Sequence, residues 1–521
     1  MNQRPLLKTL HQFGSIDWDV IVIGGGATGA GIAFDATARG FKTLLLEQAD
    51  FGTGTSSRST KLLHGGVRYL AQGDIVLVME ALQERGMILK NAPHLTSNQE
   101  FVIPVYTWWD VIKYTVGLKF YDLLAGRLSL GRSRFIKKHT TLLRLPLIRR
   151  ENLKGGVIYH DGQFDDSRLL ISLVRSVLDK GGSALNYCRV TGLVKNKEEK
   201  ICGVKATADG GNSETELKSR VVVNATGVFA DDLLKMDRPL TKRTIRPSQG
   251  VHLVFNSTFL QSNSAIMIPK TDDGRVLFAI PWYGKVVAGT TDTPVDSISL
   301  EPRALQQEID FILHTAGNYL TNKPTRNDVL CVYAGLRPLA ANPDDPSNTR
   351  EISRRHKITI SPAGLVTTEG GKWTTYRRMA EDTLDKVMRA GLLEKKACPT
   401  RHLTVNGYSS DKPADRLHIY GSHAPVIRAM MEEPGQAKQL HPGLPYTVAE
   451  IRWICQNEMV IRLEDVLARR TRALFLDARA SSKMAPEVAD IMAEELGLDD
   501  AWKVAEIDSY IKLTENYICN L

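Results

Sequence analysis

Cationic side chains stand beside glycines at several points of the 521-residue sequence. In KLLHGGVRYL, residues 61–70, a lysine, a histidine and an arginine surround two glycines. Similar combinations of charge and glycine or loop residues occur around His252, Arg337, Arg354 and Lys372. Arginine binds phosphate with a planar fork, lysine provides a point charge, and histidine accepts protons near neutral pH. Each residue alone is more often structural, but together they predict a pocket for a dianion.

A dinucleotide-binding fingerprint opens the chain. DVIVI predicts a buried parallel strand, GGGATG follows it, a helix comes next, and the strand KTLLL ends at Glu47. In this context Gly24 makes the tight turn, Gly26 lets the backbone approach a pyrophosphate, and Gly29 allows close packing of helix on strand. The Glu47 carboxylate can bind a ribose 2′-hydroxyl, which favours FAD or NAD over NADP.

Two later segments favour FAD over NAD. A strand ending at residue 224 runs into Ala225-Thr226-Gly227, about 200 residues after the first unit, as a returning strand of a discontinuous nucleotide domain would. GGKWTTY, beginning at Gly370, opens a predicted helix. The N-terminus of that helix would stabilise a reduced flavin at its N1–C2=O edge.

The predicted fold class is α/β, with an FAD-binding Rossmann-like domain of the glutathione-reductase type. We expect this discontinuous domain at residues 17–85, 155–240 and 350–394. A sheet-rich substrate or cap domain is expected at residues 86–154 and 241–349, with candidate strands at 156–159, 250–255, 276–280, 285–288 and 358–361. Residues 395–521 should form an all-α domain, in which Thr447 and Glu450 form a helix capping box.

Bulk composition excludes several classes of protein. The six cysteines are scattered without C-x-x-C spacing, which argues against a metal cluster or disulfide framework and suits a reducing compartment. We predict no metal site, no signal peptide and no transmembrane helix. The net charge of +9 fits an ordinary surface excess, an anionic substrate, an anionic membrane surface or nucleic acid.

A basic segment extends over residues 110–150. It contains ten Lys or Arg against two acids, with apolar and aromatic residues interleaved. Such a segment is typical of a surface helix on anionic lipid, and the alternative is a solvated basic face. We predict that this segment faces a membrane.

Several motifs together resemble one family. IVIGGGATGAGIAFDATARG, TSSRSTKLLHGGVRYL, YAGLRPL, GTTD and EGGKWTTYR are similar to the FAD-dependent (aerobic, quinone-linked) glycerol-3-phosphate dehydrogenases, and the likeness extends from about Asp19 to Ala480. It implies oxidation of sn-glycerol 3-phosphate to dihydroxyacetone phosphate. The C2 hydride would pass to flavin N5 and the electrons to a membrane quinone, on the cytoplasmic side of the inner (plasma) membrane. A homodimer is possible.

The resemblance also implies roles for individual residues. The implied substrate phosphate contacts are Arg68, Tyr69, Arg337 and Arg354, and the implied catalytic group is His252, His64, Arg337 and Lys372. The implied FAD contacts are Gly24, Gly26, Gly29, Glu47, Thr55, Ser56, Ser57, Lys61, His64, Gly65, Ala225, Gly227, Gly371, Lys372 and Trp373. We favour His252 as the base and His64 as a flavin-edge residue, and expect the glycines of HGGVRYL to bring the backbone under the flavin.

Two departures from the family pattern leave alternatives open. The residues before His252 read SQGV where KGS is more usual, and Arg354 is followed by Arg355-His356, so Arg355 could be the phosphate contact. The rival enzymatic functions are a glycerol-3-phosphate oxidase that produces peroxide and an amine or 2-hydroxy-acid oxidoreductase. A flavin- or RNA-binding interaction protein is a remote rival, since no nucleic-acid module is recognisable.

Overall fold

The computed structural model describes residues 4–71, 73–208, 211, 213–240, 243–269, 271, 275–340, 356–413 and 415–519. The strands are β1 Asp17–Ile23, β2 Thr43–Leu46, β3 Leu62–Leu63, β4 Thr96–Val105, β5 Arg134–Lys137, β6 Gly155–Phe164, β7 Ser183–Leu185, β8 Cys188–Lys195, β9 Ile201–Ala208, β10 Thr215–Asn224, β11 Ile245–Asn256, β12 Ala265–Ile268, β13 Leu277–Trp282, β14 Lys285–Gly289, β15 Thr293–Pro294, β16 Val329–Ala340, β17 Lys357–Ile360, β18 Val366–Glu369, β19 Gln439–His441 and β20 Leu444–Thr447.

The helices are α1 Arg4–Gly14, α2 Ala27–Ala38, α3 Val67–Ala71, α4 Ile75–Asn91, α5 Trp108–Ala125, α6 Lys138–Arg144, α7 Asp166–Asp179, α8 Ala230–Asp237, α9 Gln306–Tyr319, α10 Tyr376–Arg389, α11 Ala424–Met431, α12 Val448–Asn457, α13 Ala473–Leu476, α14 Ala478–Leu496 and α15 Asp500–Glu515. A π-helical turn covers Asp465–Arg470.

The first sheet is built around parallel strands. Its order is β17-β18-β10-β1-β2-β7, and β8 and β9 extend it beside β10. β1 pairs in parallel with both β10 and β2, and β10 pairs in parallel with β18. Helices α7 and α10 pack on α2, which is why α2 is buried on nearly every side instead of along one stripe. Val20 and Val22 of β1 belong to the core on the α2 side, and Ile21 and Ile23 belong to a second core on the other side. Both faces of β1 are therefore covered, as its uninterrupted apolar run requires.

The second sheet is mostly antiparallel. Its order is β15-β11-β14-β13-β12-β4-β6-β3, with β16 paired to β11 and β5 paired to β6. β4 and β6 pair along their whole length, and so do most residues of β11 and β16. This sheet places β11 and β16 beside the carboxyl ends of the first sheet's strands, where the candidate site lies.

The predicted fold class is confirmed, with some differences in detail. The candidate strand at 156–159 lies in the second sheet, which agrees with the strand prediction but not with the domain bounds. The candidate strand at 358–361 lies in the first sheet, paired with β18, which agrees with the domain bounds but not with the strand prediction. The C-terminal region is helical except for the hairpin formed by β19 and β20. Strand pairing is decided by distant parts of the chain, so local pattern gave two different assignments for these segments.

The predicted capping box is wrong. Thr447 does precede α12, but its side chain makes no capping hydrogen bond. Glu450 instead accepts hydrogen bonds from the guanidinium of Arg416 and from the hydroxyl of Tyr420, at 2.6 Å. A fully buried carboxylate is stabilised more by a cation than by one backbone N–H, so the tertiary contact prevails over the local one.

Candidate active site

Four segments meet at one edge of the first sheet. Gly24 follows β1, Glu47 follows β2, Ala225 follows β10 and Gly370 follows β18. Because these strands are parallel, their carboxyl ends lie together, at the position where open α/β sheets bind ligands. The four residues line one cavity of about 350 Å³.

The cavity wall at β1 is made of backbone. Gly24 has φ +108°, and a Cβ atom there would lie 2.6 Å from the Ala225 carbonyl oxygen. A Cβ at Gly29 would lie 1.8 Å from the Gly24 carbonyl oxygen. A Cβ at Gly26 would come only near Ser56 Oγ, at 3.1 Å, and would otherwise enter the space in front of α2. This cradle fits the pyrophosphate of a dinucleotide.

Glu47 is held at the tip of β2 by the backbone. Its Oε2 accepts from the N–H of Gly25 at 2.6 Å, and its Oε1 accepts from the N–H of Ala49 at 2.9 Å. The carboxylate lines the cavity, and each oxygen keeps a lone pair for a further donor. The residue therefore suits a ribose hydroxyl, as its position after the second strand predicts.

A glycine turn and a helix close the opposite wall. Gly370 and Gly371 have φ +73° and +80°, and a 3-10 turn at Trp373–Thr375 leads into α10. The Trp373 indole N–H donates to the Ser56 carbonyl at 2.8 Å, which connects this turn to the short 3-10 turn at Thr55–Ser57. The Lys372 Nζ lies 3.8 Å from the centre of the Tyr69 ring. The predicted helix is present, with its first turn wound as 3-10.

Arg337 reaches the cavity from β16. Its Nη1 donates to the carbonyl of Gln249 at 3.3 Å and to the Asp292 carboxylate at 3.2 Å, and its Nη2 donates to Thr290 Oγ1 at 3.0 Å. Across the strand pair, a Cβ at Gly250 would lie 2.3 Å from that Nη2. The glycine thus makes room for the guanidinium, and the surrounding acceptors fix its plane.

His252 on β11 is 2% exposed and still forms part of the cavity wall. Its ring stacks on Tyr333, with centroids 4.9 Å apart, and its Nε2 lies 2.9 Å from Thr60 Oγ1. Nδ1 has no hydrogen-bond partner among the described residues. Burial, followed by the positive charges of Lys61 and Arg337, holds the pKa of His252 well below its usual value. The ring is therefore neutral near pH 7 and able to take up a proton.

Most of the predicted site residues line this cavity: Gly24, Gly26, Glu47, Thr55, Ser56, His64, Ala225, Gly227, His252, Arg337, Gly371, Lys372 and Trp373. Tyr69 does not line the cavity, but its ring contacts Lys372, which does. Gly29 does not line it either, and instead allows α2 to pack closely on the turn after β1. The side chain of Arg68 and the whole of Arg354 and Arg355 lie outside the described residues.

Three predicted cofactor contacts, Ser57, Lys61 and Gly65, are not part of the cavity wall. Lys61 is fully buried, and its Nζ donates to the Asp166 carboxylate and to the Ser57 carbonyl, each at 2.7 Å. Burial, followed by the charge of Arg472, lowers the pKa of Lys61 to about 7. Lys61 therefore lies behind the residues that line the cavity, where its ammonium group holds Ser57 and Asp166 together.

The two glycines of HGGVRYL lie where a larger residue would collide with neighbouring side chains. A Cβ at Gly65 would lie 2.2 Å from the Tyr121 hydroxyl on α5, and Gly66 has φ +86°. Asp161 accepts from the Gly65 N–H at 3.2 Å and from the Tyr121 hydroxyl at 3.0 Å. Gly65 therefore allows a close approach to α4 and α5, whereas a Cβ at Gly66 would lie 2.5 Å from the Tyr69 ring and 3.7 Å from Nζ of Lys372, which lines the cavity. That these glycines bring the backbone under the flavin stays a prediction.

Several supporting residues were missed by sequence reasoning. Thr60 contacts His252, Thr290 and Asp292 hold Arg337, and Asp166 pairs with Lys61. Thr60 and the GTTD segment stand inside the motifs that carry the family resemblance, so a signal was present without an assigned role. Asp166 stands in no such motif, and its role follows only from the fold.

Two kinds of feature are absent from the described residues. No group of three or more His, Cys, Asp or Glu among them is arranged to hold a metal ion. None of their helices combines the length and hydrophobicity that crossing a bilayer requires.

Comparison with known proteins identifies the family. A family model described as "FAD dependent oxidoreductase" matches residues 19–377, and one described as "C-terminal domain of alpha-glycerophosphate oxidase" matches residues 365–503. A probable mitochondrial glycerol-3-phosphate dehydrogenase of Caenorhabditis elegans is 39% identical over 94% of this chain and 72% of its own length. The mitochondrial enzyme of Schizosaccharomyces pombe is 38% identical, over 96% and 87%.

A solved structure agrees with the sequence relatives. The glycerol-3-phosphate dehydrogenase of Bacillus halodurans, complexed with FAD, superposes with a TM-score of 0.80 at 30% identity, covering 99% of this chain and 98% of that one. The glycine cradle and the carboxylate at the tip of β2 are the parts of this chain that fit the same cofactor. The chain belongs to the family of FAD-dependent glycerol-3-phosphate dehydrogenases.

Proposed function

We propose that this protein oxidises sn-glycerol 3-phosphate to dihydroxyacetone phosphate and passes the electrons to a membrane quinone. Family membership supports the reaction class. The observation that carries the proposal is one cavity that joins the dinucleotide cradle to Arg337, Lys372 and His252. A cofactor site and a cationic substrate site are thus continuous.

FAD would be held along the backbone cradle. The N-terminus of α2 and Gly26 would face the pyrophosphate, Glu47 the ribose, and the segment from Gly371 to Trp373 the ring system. When bound, FAD supplies the acceptor for the hydride that leaves C2 of the substrate.

The substrate phosphate would bind among cations. Arg337 offers a guanidinium whose orientation is fixed by Thr290 and Asp292, and Lys372 offers an ammonium positioned by the Tyr69 ring. A rigid fork loses little entropy on binding a phosphate or hydroxyl oxygen. We further propose Arg68 and Arg354, or Arg355 in place of Arg354, as phosphate contacts on the family pattern.

His252 would take the proton of the C2 hydroxyl. A neutral imidazole is required for this, and the depressed pKa of His252 provides it. Thr60, which lines the cavity and lies 2.9 Å from His252 Nε2, is positioned to pass the proton between substrate and ring. His64 is the alternative base, since it lines the same cavity and is less buried.

The electron acceptor separates two candidate functions. The alternative is an oxidase that passes the electrons to oxygen. Residues 365–503 match a domain described as the C-terminal domain of alpha-glycerophosphate oxidase, which is why this alternative is retained. Turnover should be measured with a soluble quinone analogue under nitrogen, and with air alone while peroxide is assayed. Fast turnover with the quinone and slow peroxide formation supports the dehydrogenase, whereas stoichiometric peroxide in air would establish the oxidase.

We further propose a peripheral position on the cytoplasmic side of the inner membrane, and the exposed face of α5 supports the contact with a membrane. It carries a stripe of exposed apolar residues, Trp108, Trp109, Ile112, Val116, Phe120 and Leu123. Exposed apolar residues of the adjoining α4, Ile75, Val76 and Met79, extend this surface. Nearby cations, among them Lys113 and Lys119, suit anionic headgroups at roughly 1 kcal/mol each.

Vesicle sedimentation tests this surface. The FAD-loaded protein should pellet with vesicles containing anionic lipid, and Trp108→Ser/Trp109→Ser should pellet severalfold less. Lys113→Ala/Lys119→Ala should bind with weaker salt dependence. Equal sedimentation of all three proteins would remove α5 as the anchor.

A further inference from the structure

A second cavity of about 530 Å³ lies where strands of the second sheet meet the C-terminal region. It is lined by the start of β4, the end of β6, the hairpin between β13 and β14, and Lys412, His418 and Ile419 of the C-terminal region. It shares no lining residue with the flavin cavity. Junctions between substructures are where binding pockets commonly form.

The charge of this cavity's lining is predominantly positive. Its charged side chains of this sign are Lys285 and Lys412, and the Lys412 ammonium also donates to the Thr96 carbonyl. Asn263 adds an amide group, as does Gln99, whose side-chain N–H already donates to the Asn263 carbonyl at 2.8 Å. Asp165 is the acidic residue among the described lining residues. Its carboxylate already accepts hydrogen bonds from the backbone N–H of Arg168 and from the Tyr283 hydroxyl, each at 3.0 Å. The remaining polar surface therefore favours an anion.

His94 provides an independent indication of a ligand. It lines the cavity, its side chain is 1% exposed, and neither ring nitrogen has a hydrogen-bond partner within the described part of the chain. Burial, then the positive charges of Arg168 and His418, lowers the pKa of His94 to about 3. Such a ring is neutral, and it keeps one N–H donor and one acceptor unmet, which costs free energy unless a ligand or water meets them.

We propose that this cavity is a second binding site, selective for a small organic polyanion that carries phosphate or carboxylate groups. Lys285 and Lys412 would contact the charged groups, and His94 would donate its N–H. The hydroxyl and amide groups of the wall would donate further hydrogen bonds to the charged groups of the ligand. Small-molecule sites commonly contain a small number of such polar groups.

The site lies close to the wall behind His252. Arg472 Nε is 3.9 Å from Asp165, and its Nη2 is 3.2 Å from Asp166, which pairs with Lys61 at 2.7 Å. An anion bound near Asp165 would repel its carboxylate, and Arg472, which pairs with both Asp165 and Asp166, connects that change in charge to Lys61. This continuity makes the second site a candidate for regulation of the enzyme by an anionic metabolite.

Calorimetric titration of the FAD-loaded protein with pyrophosphate, and separately with citrate, tests the proposal. We expect saturable binding that Lys285→Ala/Lys412→Ala weakens about tenfold or more. The matched control Lys197→Ala/Lys483→Ala changes net charge equally at exposed positions and should bind as the wild type does. Arg337→Ala should retain the binding, because its side chain lies in the other cavity.

The outcomes separate the sources of the anion and the sites. Binding of pyrophosphate alone assigns a phosphorylated ligand, and binding of citrate alone assigns a polycarboxylate. Binding that survives in Lys285→Ala/Lys412→Ala, or that is lost in Arg337→Ala, would overturn the second site. The absence of saturable binding of either probe at millimolar concentration would overturn it as well.

Discussion

The two ends of the flavin cavity are built from different materials. At the dinucleotide end the wall is backbone, because a Cβ atom at Gly24 or Gly29 would collide with neighbouring backbone atoms and one at Gly26 would project into the cavity. At the reaction end the wall carries the long or ring side chains of Arg337, Lys372 and His252. The dinucleotide end recognises the shape of a pyrophosphate, in a way that is common to many cofactor-binding proteins. The reaction end recognises the charge of the substrate.

This difference predicts how each end fails. A backbone wall fails when one methyl group is added, since neighbouring atoms are already in contact. A wall of charged side chains fails gradually, as individual hydrogen bonds and charges are removed. Substitutions at the two ends should therefore separate loss of cofactor from loss of chemistry.

The largest effect is expected at the backbone wall. Gly29→Ala would place Cβ 1.8 Å from the Gly24 carbonyl oxygen, so β1 and α2 must separate. We expect the purified variant to retain almost no FAD, as measured by the ratio of flavin to protein absorbance. Gly117→Ala is the control, because nothing lies within 4 Å of its Cβ. Normal FAD content in Gly29→Ala would contradict the cradle.

Removal of the base should leave the cofactor in place. His252→Ala is expected to lower kcat by roughly 10²- to 10⁴-fold with full FAD content, since a positioned general base contributes this much. Steady-state kinetics with a quinone analogue measures the loss. If His64→Ala has the larger effect, the base is His64.

The pH profile gives a second view of His252. Its depressed pKa keeps the ring neutral as pH falls through the usual histidine range near 6.5, so kcat/KM should stay level from pH 8 down to about pH 6. Protonation lowers activity only below that range. An acid limb centred near pH 7 that disappears in His252→Ala would show that the ring is charged in the free enzyme.

At the charged wall, Arg337→Lys should cost less than loss of the base. Lysine keeps the charge but not the fork, so we expect kcat/KM for glycerol 3-phosphate to fall roughly 10- to 100-fold. Arg337→Ala should fall further, and the ratio of kcat/KM for glycerol 3-phosphate to that for glycerol should shrink. An unchanged ratio would remove Arg337 from phosphate recognition.

The smallest effect concerns Lys61 behind the wall. Its pKa is lowered from 10.5 to about 7, so between these pH values the unfolded chain binds a proton that the folded chain does not. The free energy of unfolding therefore gains a contribution that grows as pH rises from 7 toward 10.5. Lys61→Arg, which stays protonated, lacks this contribution.

The measurement is the change in Tm between pH 7 and pH 9. Relative to Lys61→Arg, the wild type should gain on the order of a few degrees over this interval. Equal changes in the two proteins would show that Lys61 stays charged in its ion pair with Asp166.

Sequence predicted the backbone end more completely than the charged end. Gly24, Gly29 and Glu47 belong to one contiguous βαβ unit, whose glycine requirements are local and recognisable by spacing. The partners that orient the reactive groups come from remote segments. Thr60 lies 192 positions before His252, and Asp292 lies 45 positions before Arg337.

The same reason explains the other differences. Glu450 pairs with Arg416 instead of forming a local cap, and Lys61 contacts Asp166 instead of lining the cavity, because a charged group that is buried needs a partner of opposite charge. The second cavity was not foreseen either. Its lining comes from segments between residues 94 and 419 that carry no shared motif.

An anaerobic titration with glycerol 3-phosphate is the most direct test of the proposed reaction. We expect the flavin absorbance of the purified protein to bleach rapidly and in proportion to added substrate. A quinone analogue should restore the absorbance quickly, and air should restore it only slowly. A yellow protein that glycerol 3-phosphate does not bleach would contradict the substrate assignment while leaving the FAD-binding fold intact.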